Sequence, residues 1–127
     1  MSRGAWRSDA RVVLLPRTPR VRLLEPLVWA DADGREHSVP QGFESDGATI
    51  PRWAWWCVGA PLEGPYRRAA ILHDWQCIVE REPHLVVHRR FHEAMLADFV
   101  PPPLAWLFFA VVRVLGPRWP SAPGVRV

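Results

Sequence analysis

Two groups of side chains in this sequence have the types and spacing to do chemistry. The first lies in AAILHDWQCIV, residues 69 to 79, where His73 and Asp74 interrupt an apolar run and Cys77 follows one helical turn after His73. A carboxylate buried without a partner is costly, so such a pair must be hydrogen-bonded, metal-bound or functional. The second group is His88 and His92, four residues apart, a spacing that turns two imidazoles toward one point and suits two ligands of a zinc-type ion. His73, Asp74, His88 and His92 are therefore the candidate metal ligands, for one divalent ion such as zinc. Cys77 adds a sulfur to the nitrogen and oxygen donors. Asp46, in the tight loop ESDGATIP, either holds that loop as an Asx-turn or reaches the dyad, which makes Asp46, His73, Asp74 and Cys77 the candidate polar cluster.

Three readings of these residues stand side by side. In the first the cluster is an internal network: His73 donates to a backbone carbonyl, Asp74 caps the GATIP loop or pairs with Arg67, Arg89 or Arg90, and Cys77 is a small core residue. The second is a metal site, and the third a metal-free acid–base dyad. His37 and His84 read as surface residues. The sequence has no glycine-rich phosphate loop, no GxSxG elbow and no HExxH run, and Ser45 and Thr49 have no identifiable base.

The elements that must position these groups follow from pattern. RVRLLEPLVWA and REHSVP flank DADG, whose Asp-Gly step marks a hairpin, so the first forty residues should form a small antiparallel sheet. QGFESDGATIP is then a polar connection, with Thr49 and Pro51 placed to open a short helix in PRWAWWCVGA. A helix from Tyr66 to about Glu80 is apolar on nearly every side, which marks it as the buried centre of the domain. Pro83 can sit in the first turn of the next helix, from about His84 to Phe99, whose apolar face is Val87, Phe91, Met95 and Phe99. LAWLFFAVV, residues 104 to 112, forms a terminal helix stopped by Gly116 and Pro117. The expected fold is α+β: a small N-terminal antiparallel sheet or hairpin followed by about four helices, one of them enclosed by the rest.

Composition bounds the reading. The 127 residues fit one domain, 1–127, with 1–10 and 118–127 as loosely held tails. Hydrophobic residues at 49% and charged residues at 23% are those of a globular chain and suggest neither disorder nor a membrane bundle. A net charge of +3, carried by scattered arginines, gives no basic run for nucleic acid. Two cysteines make no disulfide framework, and VVLL is too short for a signal peptide, so a cytoplasmic (host-cell) or virion-associated location is expected. The 104–115 segment falls short of the roughly 20 residues of a membrane span; it is a core helix or one that docks on a partner or an interface.

VPQGFESDGATIPR at 39 to 52, ILHDWQC at 71 to 77 and FHEAM at 91 to 95 together resemble the successive signatures of domain-of-unknown-function family 1353, small proteins mostly of tailed phages and prophages. Asp46, Pro51, His73 and Asp74 match its VPxGFxTDxASIPR and HDxLY segments. Ser45 stands where the family has threonine, Cys77 where it prefers tyrosine, and His88 where aspartate is frequent. The resemblance implies a phage or prophage origin and no set activity.

Two functions follow, and the residues leave open whether the chain is an enzyme. One is a noncatalytic virion, assembly or host-interaction component with a protein partner of phage or host origin, docked through Trp53, Trp55 and Trp56. The alternative is a small metal-dependent hydrolase of cell wall or another host polymer, using Asp46, His73, Asp74 and His88 to hold an ion that activates water.

Overall fold

The computed structural model describes residues 4–16, 20–45 and 67–115. Six short strands occupy the first part: β1 (Ala5–Trp6), β2 (Val12–Leu14), β3 (Val21–Leu23), β4 (Leu27–Ala30), β5 (Glu36–Val39) and β6 (Glu44–Ser45). They form two three-stranded antiparallel sheets, of order β1-β4-β5 and β2-β3-β6. Three helices follow, α1 (Arg67–Val79), α2 (His84–Ala97) and α3 (Pro102–Leu115). The α+β class is as expected, with corrections. The described residues hold two small sheets instead of one and three helices instead of four, and β6 falls inside the segment expected as a polar connection. The short helix expected in 51–60 lies outside the described residues.

The hairpin forms where the Asp-Gly step places it. Leu27 pairs with Val39 and Trp29 with His37, and the Asp31 carboxylate accepts bonds from the amides of Asp33 (2.9 Å) and Arg35 (3.0 Å). Gly34, at φ +83°, takes the left-handed turn position that a side chain would resist. Residues 4–10 are held against the fold: β1 pairs with β4, the Trp6 and Trp29 rings meet edge to face at 4.9 Å, and Ala10 is buried. A Cβ on Gly4 would run into the Trp29 ring and the Ala30 carbonyl, so only glycine lets the chain pass there.

Helix α1 is the enclosed element. Residues 69 to 74 are all buried, which accounts for more than a full turn and hence for every side of the helix. It packs against α2, β5 and β6, and α2 in turn packs against α3 and β1. Arg68 anchors its first turn, donating to the carboxylate of Asp98 at the end of α2 and to the Ser8 carbonyl (3.1 Å), with its guanidinium 5.0 Å from the Trp6 ring. The core joins Leu23, Leu27 and Trp29 from the sheets to Ile71, Leu72, Phe91, Met95 and Phe108 from the helices.

Helix α2 begins after Pro83, which sits at the N-cap instead of within the first turn, its carbonyl accepting from Val86 (3.0 Å) and Val87 (3.2 Å). The helix ends two residues before the expected Phe99. The Phe99 amide bonds the Leu96 carbonyl (3.1 Å) and the Val100 amide bonds the Met95 carbonyl (3.1 Å), the paired pattern of a Schellman cap. That cap puts Phe99 at φ +61°, where glycine is usual, and swings it out to 91% exposure, while Val100 takes the core position. Phe99 is thus not part of the apolar face.

Helix α3 buries Ala105, Phe108, Val111 and Val112 on one side, and its other side carries Trp106 (62% exposed), Leu107 (42%) and Val114 (63%). No helix among the described residues is long and apolar enough to cross a membrane.

The cap makes a signed prediction. Phe99→Gly should raise the thermal midpoint, because it relieves a left-handed penalty of about 1 kcal/mol at a residue that packs little. A loss of about 3 kcal/mol or more, as for truncation of a core phenylalanine, would show that Phe99 is packed after all.

Candidate functional site

His73 and Cys77, one turn apart on α1, face α2, and α2 answers with His88. His73 Nε2 lies 2.8 Å from His88 Nδ1, so one ring's N–H donates to the other's lone pair. Cys77 Sγ is 3.6 Å from His73 Nε2, and the His73 ring stacks on Phe91 at 4.6 Å between centroids. All three are buried, and among the described residues this trio offers donor atoms within 4.8 Å of one another, a geometry that could hold a metal ion. Burial, with His88 beside it, drives the His73 pKa down to about 3; burial, with Asp74 and Glu80 nearby, pushes the Cys77 thiol up to about 12. Without an ion, the site near pH 7 therefore holds a neutral His73 imidazole and a thiol instead of a thiolate nucleophile.

Asp74 belongs to a different contact. One residue on from His73, it lies about 100° further round the helix, and its carboxylate accepts a bond from the Ser45 hydroxyl of β6. Arg67 and Arg90, two partners considered for Asp74, engage the Ala10 carbonyl and Glu82. His92, one turn beyond His88, is half-buried with its ring 5.3 Å from Phe109 of α3; burial there lowers its pKa, with Glu93 opposing. Of the four metal-ligand candidates, then, the structure brings His73 and His88 together, with Cys77 beside them, and turns Asp74 and His92 to other neighbours. Asp46, Trp53, Trp55 and Trp56 lie outside the described residues.

A second polar constellation was not expected. His37 is largely buried, with Nε2 2.8 Å from Asp31 and Nδ1 3.8 Å from Glu82. Arg90 forks onto Glu82 (2.6 and 2.9 Å) and also donates to Gln76 (3.1 Å). His37, Trp75, Gln76, Glu82 and Val87 line a cavity of about 160 Å³. Burial works to raise the Asp31 pKa, but the bonds from His37 and two backbone amides bring it below the ordinary carboxylate value. The Arg90 fork does the same for Glu82 against burial. The hairpin itself carried the signal: His37 pairs with Trp29, and cross-strand partners share a face, so His37 had to point inward.

With this geometry in view, the chain can be placed. The family model described as "Protein of unknown function (DUF1353)" matches residues 21–112, most of the chain, and the chain belongs to this family. It is similar to the uncharacterized proteins y4jT and y4iH of Sinorhizobium fredii (strain NBRC 101917 / NGR234). The first is 34% identical over 101 residues, covering 80% of this chain and 30% of the relative. The second is 37% identical over 91 residues, covering 72% of this chain and 38% of the relative. The chain thus spans about a third of the length of these curated relatives. No solved structure matches it.

Two outcomes follow. In chelator-treated protein, stability should be full above about pH 6.5 and fall as pH drops toward 3, because the unfolded His73 takes a proton that the folded one resists. Chemical denaturation at stepped pH reads this, and His73→Gln should flatten the slope; an unchanged slope would show that His73 is not buried neutral. Arg90→Ala, which strips Glu82 and Gln76 of their shared donor, should cost about 2 kcal/mol. A change within about 0.5 kcal/mol, as at an ordinary surface site, would contradict the network.

Proposed function

We propose that the chain is a noncatalytic component of phage or prophage type that acts by docking on a protein partner, of the virion or of the host. The observation that carries this reading is the outward side of α3, where Trp106, Leu107 and Val114 are exposed together, with Phe99 exposed in the turn that leads into the helix. Burying a side chain of this kind gains about 1.5–3 kcal/mol, and tryptophan is a favoured anchor at interface centres. The helix that sequence pattern offers as core or docking surface serves as core on one side only. The phage or prophage association rests on the motif resemblance at 39–52, 71–77 and 91–95.

The buried trio fits this reading better than hydrolysis does. A metal-activated water acts only where a substrate can approach it, and His73, Cys77 and His88 are all enclosed. A polymer chain would have to part α1 from α2 to reach them.

The docking surface is tested with Trp106→Glu combined with Leu107→Glu. Wild-type chain should sediment with phage particles, or as a complex larger than one chain, and the double variant should lose that association with its thermal midpoint within a few degrees of wild type. A wild-type chain that stays monomeric and separates from particles, or a double variant that associates as well as wild type, would contradict the proposal.

A further inference from the structure

We infer that His73, Cys77 and His88 form a zinc site that staples α1 to α2, a structural role beyond the docking reading and independent of it. The donors come from two helices: His73 and Cys77 are an i, i+4 pair on one, and His88 projects from the other to meet them. Their donor atoms are already near the required separations. Zinc bonds of about 2.0–2.1 Å to nitrogen and 2.3 Å to sulfur at tetrahedral angles put two nitrogens about 3.3 Å apart, and nitrogen and sulfur about 3.6 Å apart. The structure has 2.8 Å between His73 Nε2 and His88 Nδ1, and 3.6 Å between His73 Nε2 and Cys77 Sγ. Opening the ring-to-ring contact by about half an ångström, with Cys77 Sγ and the His88 donor, which lie within 4.8 Å, brought to about 3.6 Å, admits the ion.

The donor chemistry selects the metal. Two imidazoles and a thiolate, with Asp74 turned to Ser45, form a nitrogen and sulfur set that suits zinc and gives magnesium or calcium none of the oxygens they need. The surroundings supply a reason for the ion. Around the trio stand Phe91 and Val87, an apolar setting in which leucines would pack without desolvating three polar groups.

Binding is balanced as follows. Cys77 gives up its S–H proton to solvent as the zinc–sulfur bond forms. The N–H shared between the two rings shifts to the other nitrogen of its own ring, which frees both facing lone pairs. The fourth position is left for a water or for the imidazole of His84, whose ring lies 5.8 Å from that of His88, and the sulfur signature below is the same with either.

The test uses chain purified without a histidine tag under reductant, with metal content measured after dialysis and cobalt(II) then titrated into the stripped protein. One zinc per chain is expected, together with a near-ultraviolet thiolate-to-cobalt band that persists in Cys57→Ser and vanishes in Cys77→Ser, where zinc affinity falls at least tenfold. Where Cys77→Ser does not fold, the wild-type thermal midpoint should rise on adding zinc to stripped protein and fall again with chelator. No retained ion with no cobalt band, a band that follows Cys57 instead of Cys77, or a midpoint indifferent to zinc would each overturn the site.

Discussion

The structure is organised by one constraint: the middle of α1, residues 69 to 74, is buried on every side, yet the helix carries arginine, histidine, aspartate and glutamine, so its polar groups must find partners on the elements packed around it, α2 above all. Arg68 holds the end of α2 and the turn after β1, His73 meets His88, Asp74 takes the Ser45 hydroxyl, and Gln76 accepts from Arg90. Successive residues on a helix point about 100° apart. That rotation sends His73 and Asp74, adjacent in sequence, to opposite layers of the molecule. An unpaired group at any of these positions would carry the desolvation cost of a buried polar atom, so the pairings also fix how the sheets and helices dock.

How far the sequence could be read follows from whether the deciding contact was local. The hairpin around Asp31–Arg35 and the span of α1 were legible because turn chemistry and unbroken apolarity are short-range signals. Phe99 was misread because helical periodicity continues past Ala97 on paper, whereas the backbone closes into a Schellman cap that hands the core position to Val100. β6 was missed because it is only two residues long and is defined by pairing with β3. The candidate site was half legible. His73, Cys77 and His88 do share one interior point, but the i, i+4 spacing of His88 and His92 suggested two ligands where the 40° between them sends one ring to α1 and the other to Phe109 of α3. His37 was read as a surface residue although the hairpin register, which pairs it with Trp29, already turned it inward; only its partners Glu82 and Arg90 lie far away in sequence.

The molecule therefore separates two kinds of surface. Inside, the polar side chains of α1 are bonded to partners; outside, arginines pair with Glu25 and Glu44, and α3 turns Trp106, Leu107 and Val114 outward. In the two longer relatives the matched region is one portion of a larger chain, 30% and 38% of their lengths.

The central claim is that the imidazoles of His73 and His88 touch across the α1–α2 seam. Nitrogen-15 spectra of the histidine rings in chelator-treated protein near neutral pH test it most directly. The account predicts a scalar coupling between His73 Nε2 and His88 Nδ1, transmitted through their shared hydrogen, with the ring proton slow to exchange with water. Two uncoupled rings whose protons exchange as fast as those of a free imidazole would contradict it.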